Sequence, residues 1–196
     1  MEKTLKKPQK KQQKELLILF SAVTTKLIKS DFIQHVIKHK SEKDFINELE
    51  NYLQQENNFF EQFDWWFFSK IDETLDEVNI PYYNPKTNRI DKFKPDFIFW
   101  LKKDNEYTIL FVDPKSTEFA DAYRKIDGYS RIFVTVDNDM RRSTTFRHNG
   151  FNIKIKLLLY TSDIASIPDE YQSYWFDKLS KVEDKLMKFL DFDVFS

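Results

Sequence analysis

The chain has 196 residues, 31 basic and 32 acidic side chains, no cysteine and only two glycines. The length suits one domain of ordinary size with a helical appendage. Near-neutral charge excludes a strongly basic coat protein for nucleic acid, though not an enzyme that meets nucleic acid along one face. Two glycines, Gly128 and Gly150, cannot build a Walker A loop or a dinucleotide fingerprint. The missing cysteines exclude disulfides, thiolate zinc sites and a thiol nucleophile, and they fit a cytoplasmic protein. No run reaches membrane-span length and the start lacks a signal peptide's apolar stretch, so no membrane role is expected.

Residues 1–14 hold six lysines and three glutamines and read as a flexible basic tail. Residues 15–57 read as a helical extension. Leu16, Leu19, Phe20, Val23, Leu27 and Ile28 recur at helix spacing, Ser30-Asp31 can cap a second helix through Lys40, and Ser41 can cap a third through Gln55. Phe60, Phe63, Phe67, Ile71, Leu75 and Val78 predict a fourth helix over 58–78. Ile80-Pro81-Tyr82-Tyr83 reads as a strand near an edge, and Asn84 to Asn88 as a turn.

Next come two apolar runs, Phe97–Leu101 and Tyr107–Val112, separated by Lys102–Glu106. They predict a β-hairpin. Centred on Asp104-Asn105, its facing residues have numbers summing to about 209, which sets Asp96 opposite Asp113. Facing like charges destabilise a strand pair, and a cation between them relieves the repulsion. Hard carboxylate oxygens suit Mg²⁺. Lys115 lies two residues past Asp113, on the same face by the strand period.

Thr117 to Asp127 predicts a helix closed by Gly128. Ile132–Val136 reads as a strand or as more of the helical layer, and residues 137–145 as a polar loop. Asn149-Gly150 signals a second hairpin turn, and alternation over Ile153–Leu159 predicts a strand. Asp169 to Leu190 reads as a terminal amphipathic helix. The chain is thus expected to be α/β, with antiparallel strands first and then a crossover helix to a further strand.

Lys94-Pro95-Asp96 and Asp113-Pro114-Lys115 on neighbouring strands resemble the PD-(D/E)xK nuclease superfamily. Trp66–Glu73, Ile80–Asn84 and Tyr123–Tyr129 are similar to the C-terminal endonuclease domain of type III restriction subunits and helicase-like defence proteins. The resemblance spans about 58–178, and residues 58–196 are read as the nuclease-like domain. It implies a restriction-endonuclease-like core of order α-β-β-β-α-β, a mixed sheet flanked by helices, with N-terminal helices and a C-terminal helix. It also implies a Mg²⁺-dependent endonuclease acting on DNA in restriction or anti-phage defence, with Mn²⁺ able to substitute.

In that family the metal is held by Asp96, Asp113, the Pro114 carbonyl and an acid of the first core helix. Glu73 is the first candidate for that acid and Glu77 the second. Lys115 orients the attacking water. Lys94, Lys125, Arg141 and Arg142 are the candidate DNA contacts, with the Arg pair expected in a loop. The implied partners are DNA, a helicase or other defence subunit, and a second copy of the chain. The alternative is a catalytically silent module that keeps the fold to bind nucleic acid or a helicase subunit. His35 and His39 share a helix face, but Val36 stands where a zinc protease needs Glu.

Overall fold

The computed structural model describes residues 37, 39–71, 76–114, 121–137, 140–161 and 163–189. The expected basic tail, the helix over 15–29, His35, Glu73 and Lys115 lie outside the described residues. The chain divides into two compact units, Met1–Glu56 and Asn57–Ser196. In the first, α1 (Lys40–Leu53) buries Phe45, Ile46, Leu49, Tyr52 and Leu53, the stripe that helix spacing predicts.

The second unit is built on a six-stranded mixed sheet. Strand β1 (Trp65–Lys70) pairs antiparallel with β4 (Phe97–Lys103), which pairs antiparallel with β5 (Glu106–Pro114). Helix α2 (Asp121–Phe133) then crosses to β9 (Phe151–Tyr160), which runs parallel to β5. The short β10 (Trp175–Phe176) runs parallel to β9, and β8 (Thr145–His148) pairs antiparallel with it. Two hairpins stand apart from the sheet: β2 (Ile80–Asn84) with β3 (Arg89–Phe93), and β6 (Val134–Asp137) with β7 (Met140–Ser143).

Side chains alternate across each strand, so the sheet has two buried faces. On one face Ile98, Phe111, Leu157, Leu159 and Trp175 form a single core with Ala122, Ile126 and Tyr129 of α2 and with Ile80 and Phe93 of the β2–β3 hairpin. The Tyr129 hydroxyl donates to the Ile155 carbonyl at 2.8 Å. Burial, and then the neighbouring Tyr174, raise its phenol far above the ordinary value. On the other face Phe97, Phe99, Leu101, Leu110, Val112, Leu158 and Phe176 are buried. There Phe60 stacks on Phe99 with centroids 5.4 Å apart.

Four expectations need correction. The described residues of 58–78 form no α-helix: Phe59–Gln62 is one 3₁₀ turn and Trp65–Lys70 is a strand. The aromatics there suit helix spacing and strand propensity equally, and pairing with β4 decides between them. Helix α2 runs through Gly128 rather than stopping before it, because a Cβ there would sit 2.6 Å from Tyr82 Cβ and 2.7 Å from the Pro81 carbonyl oxygen. The glycine serves close packing of helix on hairpin. Within the expected polar loop 137–145, Met140–Ser143 is strand β7, paired antiparallel with β6. The expected terminal helix is 3₁₀ turns, β10 and only then α3 (Val182–Phe189). Strand β3 was not anticipated at all.

Candidate active site at the open end of the central hairpin

The β4–β5 hairpin turns at Asp104, which adopts φ 52°, and Asn105. From Lys103 opposite Glu106 to Phe97 opposite Val112, paired numbers sum to 209 throughout. Asp96 and Asp113 each lie one position beyond the last pair, Phe97 with Val112, at the open end. Asp113 is the second-last residue of β5, beside Leu159 of β9, and is wholly buried. Asp96 sits at the bend just before β4 and is 8% exposed. Pro95 and Pro114 are buried as well.

The same end receives the tail of β1. The Ile71 N–H donates to the Asp96 carbonyl at 2.8 Å, fixing the chain that leads toward Glu73 against the Pro-Asp pair. Lys70, which sequence reasoning did not single out, lies with its Nζ 5.4 Å from the Phe97 ring centroid. It escaped notice because the strand that carries it was read as helix.

The expected site residues do not all converge. Asp96 and Asp113 each stand one position beyond the last paired residues of the hairpin, Phe97 and Val112, and both are buried, with Pro114 next in the chain. Glu73 and Lys115 fall outside the described residues. Glu77 is exposed in an irregular stretch, and its carbonyl accepts a bond from the Asn79 amide at 2.7 Å. It is not on the helix assumed for it. Lys94 is half-buried and donates to the Asp76 carbonyl. Lys125 of α2 is half-buried with its Nζ 4.6 Å from the Phe93 ring centroid, a cation–π contact. Arg141 and Arg142 are exposed on β7, in a strand rather than the expected loop. Among the described residues, no three His, Asp or Glu side chains form a metal-holding group.

Chemically, the open end presents hard oxygen donors in a setting sheltered from water. Burying a carboxylate is costly unless a positive charge or hydrogen bonds compensate it. Two such groups at one end of a hairpin raise that cost, and a divalent cation with an oxygen preference would lower it.

The fold and this site define a mixed α/β protein with acidic residues at the end of its central strands. Residues 33–166 match the YagJ family, and the chain belongs to it. No curated protein and no solved structure matches the chain. Among the described residues no helix is long and apolar enough to cross a membrane.

Proposed function

We propose that the chain is a Mg²⁺-dependent DNA endonuclease of the PD-(D/E)xK type, acting in the cytoplasm in restriction or anti-phage defence. The observation that carries this reading is that Asp96 and Asp113, each one position beyond the last paired residues of the central hairpin, are both buried. Support also comes from the chain order around it. Three antiparallel strands, β1, β4 and β5, are followed by a crossover helix and a parallel strand, as a restriction-endonuclease-like core requires. In this reading β1 takes the place first given to the strand at Ile80.

Asp96, Asp113 and the Pro114 carbonyl would hold the ion. Glu73 stands two residues beyond Ile71, whose N–H is bonded to the Asp96 carbonyl. A chain of two residues spans at most about 7 Å, so Glu73 remains the first choice for the third acid. When bound, a divalent ion lowers the pKa of a coordinated water and stabilises charge on phosphate oxygens. The protein's own contribution is placement. The buried end of the hairpin would hold the carboxylates and the packed faces of the sheet exclude bulk water, while Lys115 would orient the attacking water and support the developing charge.

The test is a plasmid-cutting assay with Mg²⁺ or Mn²⁺. Wild type should nick or cut, while Asp113→Ala and Lys115→Ala should not, with the far-UV circular dichroism of wild type retained. Normal cutting by either variant would remove the proposal. Salt-sensitive DNA binding by wild type with no metal-dependent turnover would instead favour the silent module.

A further inference from the structure

The β2–β3 hairpin stands apart from the main sheet and has two unlike faces. Ile80 and Phe93 are buried in the core with α2, and Tyr82 packs against Gly128. Strand alternation then turns the pairs Pro81–Lys92 and Tyr83–Ile90 outward, and all four residues are exposed. Tyr83 is 45% and its partner Ile90 64% exposed. The Tyr83 hydroxyl donates to Asn88 Oδ1 at 2.9 Å, so the exposed ring is held in one orientation.

Charge is sorted in the same way. Residues 80–94 carry Lys86, Arg89, Lys92 and Lys94 against one acid, Asp91. Asp91 pairs with Tyr82 on the inward side, is half-buried, and accepts from the Asn84 amide at 2.7 Å. Lys86, Arg89 and Lys92 are exposed. The outer face and tip therefore offer cations around an ordered aromatic ring. Asp96 is four residues past Lys92, a reach of at most about 14 Å, or about four nucleotide rises of roughly 3.4 Å.

We propose that this outer face binds an unpaired nucleic-acid strand flanking the scissile phosphate, with a base stacked on Tyr83 and phosphates held by Arg89 and Lys92. The inference rests on the nuclease reading of the open end, which supplies the ligand class. Cations beside an exposed aromatic ring suit a single strand, because every base offers a stacking face and every phosphate a charge. A duplex keeps its bases stacked on one another and leaves the ring without a partner. Anchoring through Ile80, Phe93 and the close approach at Gly128 holds the face in place before a strand arrives, which lowers the ordering cost of binding.

Fluorescence anisotropy of labelled oligo(dT) and of a labelled blunt duplex, with the full chain in EDTA, tests it without calling on the metal site. Wild type should bind oligo(dT). Tyr83→Leu should weaken that binding by about tenfold and Tyr83→Trp should retain it, while duplex affinity stays the same in all three. Arg89→Ala and Lys92→Ala should each weaken oligo(dT) binding and flatten its logarithmic salt dependence by about 0.7. Far-UV circular dichroism matching wild type shows the variants folded. A wild type that does not bind oligo(dT), variants that bind as wild type does, or a Trp variant as weak as the Leu variant would each overturn the proposal. Normal plasmid cutting with unaltered oligo(dT) binding in the variants would remove this inference and leave the nuclease reading standing. The expected binding pattern with no cutting by wild type would support the face and remove the nuclease reading instead.

Discussion

At the turn end of the central hairpin, Asp64 accepts bonds from Lys102 Nζ at 3.1 Å and from the Asp104 N–H at 2.9 Å, and Glu106 sits 3.8 Å from Lys154. At the open end, Asp113 is wholly buried and Asp96 nearly so. Both ends are acidic, but they serve different purposes. The turn-end acids tie down a loop in a partly solvated setting, where each contact is worth little. The open-end acids occupy buried positions, where a carboxylate is expensive to keep, and the fold keeps two of them at one end of the hairpin. Stability accounts for the first set. For the second set we propose a divalent ion as the ligand.

The sharpest way to break that contrast is to remove a side chain at each end. Asp113→Ala should lower Mg²⁺-dependent plasmid cutting by about 10³-fold, several kcal/mol of lost transition-state stabilisation. Lys102→Ala at the turn end should leave the cutting rate near wild type. Equal losses from both would dissolve the distinction.

Next in size is the packing that holds the hairpin layer over the sheet. Gly128→Ala forces a methyl against Tyr82 and the Pro81 carbonyl and should cost about 1–3 kcal/mol in denaturant unfolding. Gly150 sits in an exposed turn at φ 81° with no neighbouring atom to meet a Cβ. Alanine there should cost about 1–2 kcal/mol through backbone strain alone. Lys102→Ala should remove about 1 kcal/mol of stability, read from the same unfolding curves.

The smallest effect concerns pH. Burial pushes the Asp177 carboxyl up, but the bond from Lys181 at 2.8 Å, a bond from its own backbone N–H and the charges of Lys181 and Lys178 together outweigh it, and the net shift is downward. A group depressed in the folded state adds stability above its unfolded value, near 3.8, and loses it as pH falls through the lower folded value. Asp177→Asn should therefore cost about 0.5 kcal/mol at neutral pH. The gap from wild type should close as acid titrates the carboxyl, when melting temperatures are compared across pH.

What could be read from the sequence follows the range of the forces involved. The central hairpin was legible to the residue, because Asp104-Asn105 and two apolar runs fix turn and register locally. The Asn149-Gly150 turn was equally plain: both residues take positive φ, at 49° and 81°. The aromatic run at 65–70 was not legible. Its spacing satisfies a helix, and only pairing with residues some thirty positions later makes it a strand. Gly128 misled for a related reason. A glycine that ends a helix and one that admits a hairpin backbone look alike until Tyr82 is placed beside it. At the candidate site, the register legible in the sequence puts Asp96 and Asp113 just beyond the last paired residues of the hairpin, where both are buried. The helix assumed to supply the third acid was not legible, because it rested on the misread strand.

Calorimetric titration of Mn²⁺ into wild type, Asp96→Ala and Asp113→Asn tests the central claim without requiring a substrate. Wild type should bind the ion, and each variant should lose that binding while remaining folded. Identical heats from all three proteins would contradict the account and leave the buried aspartates as part of the core alone.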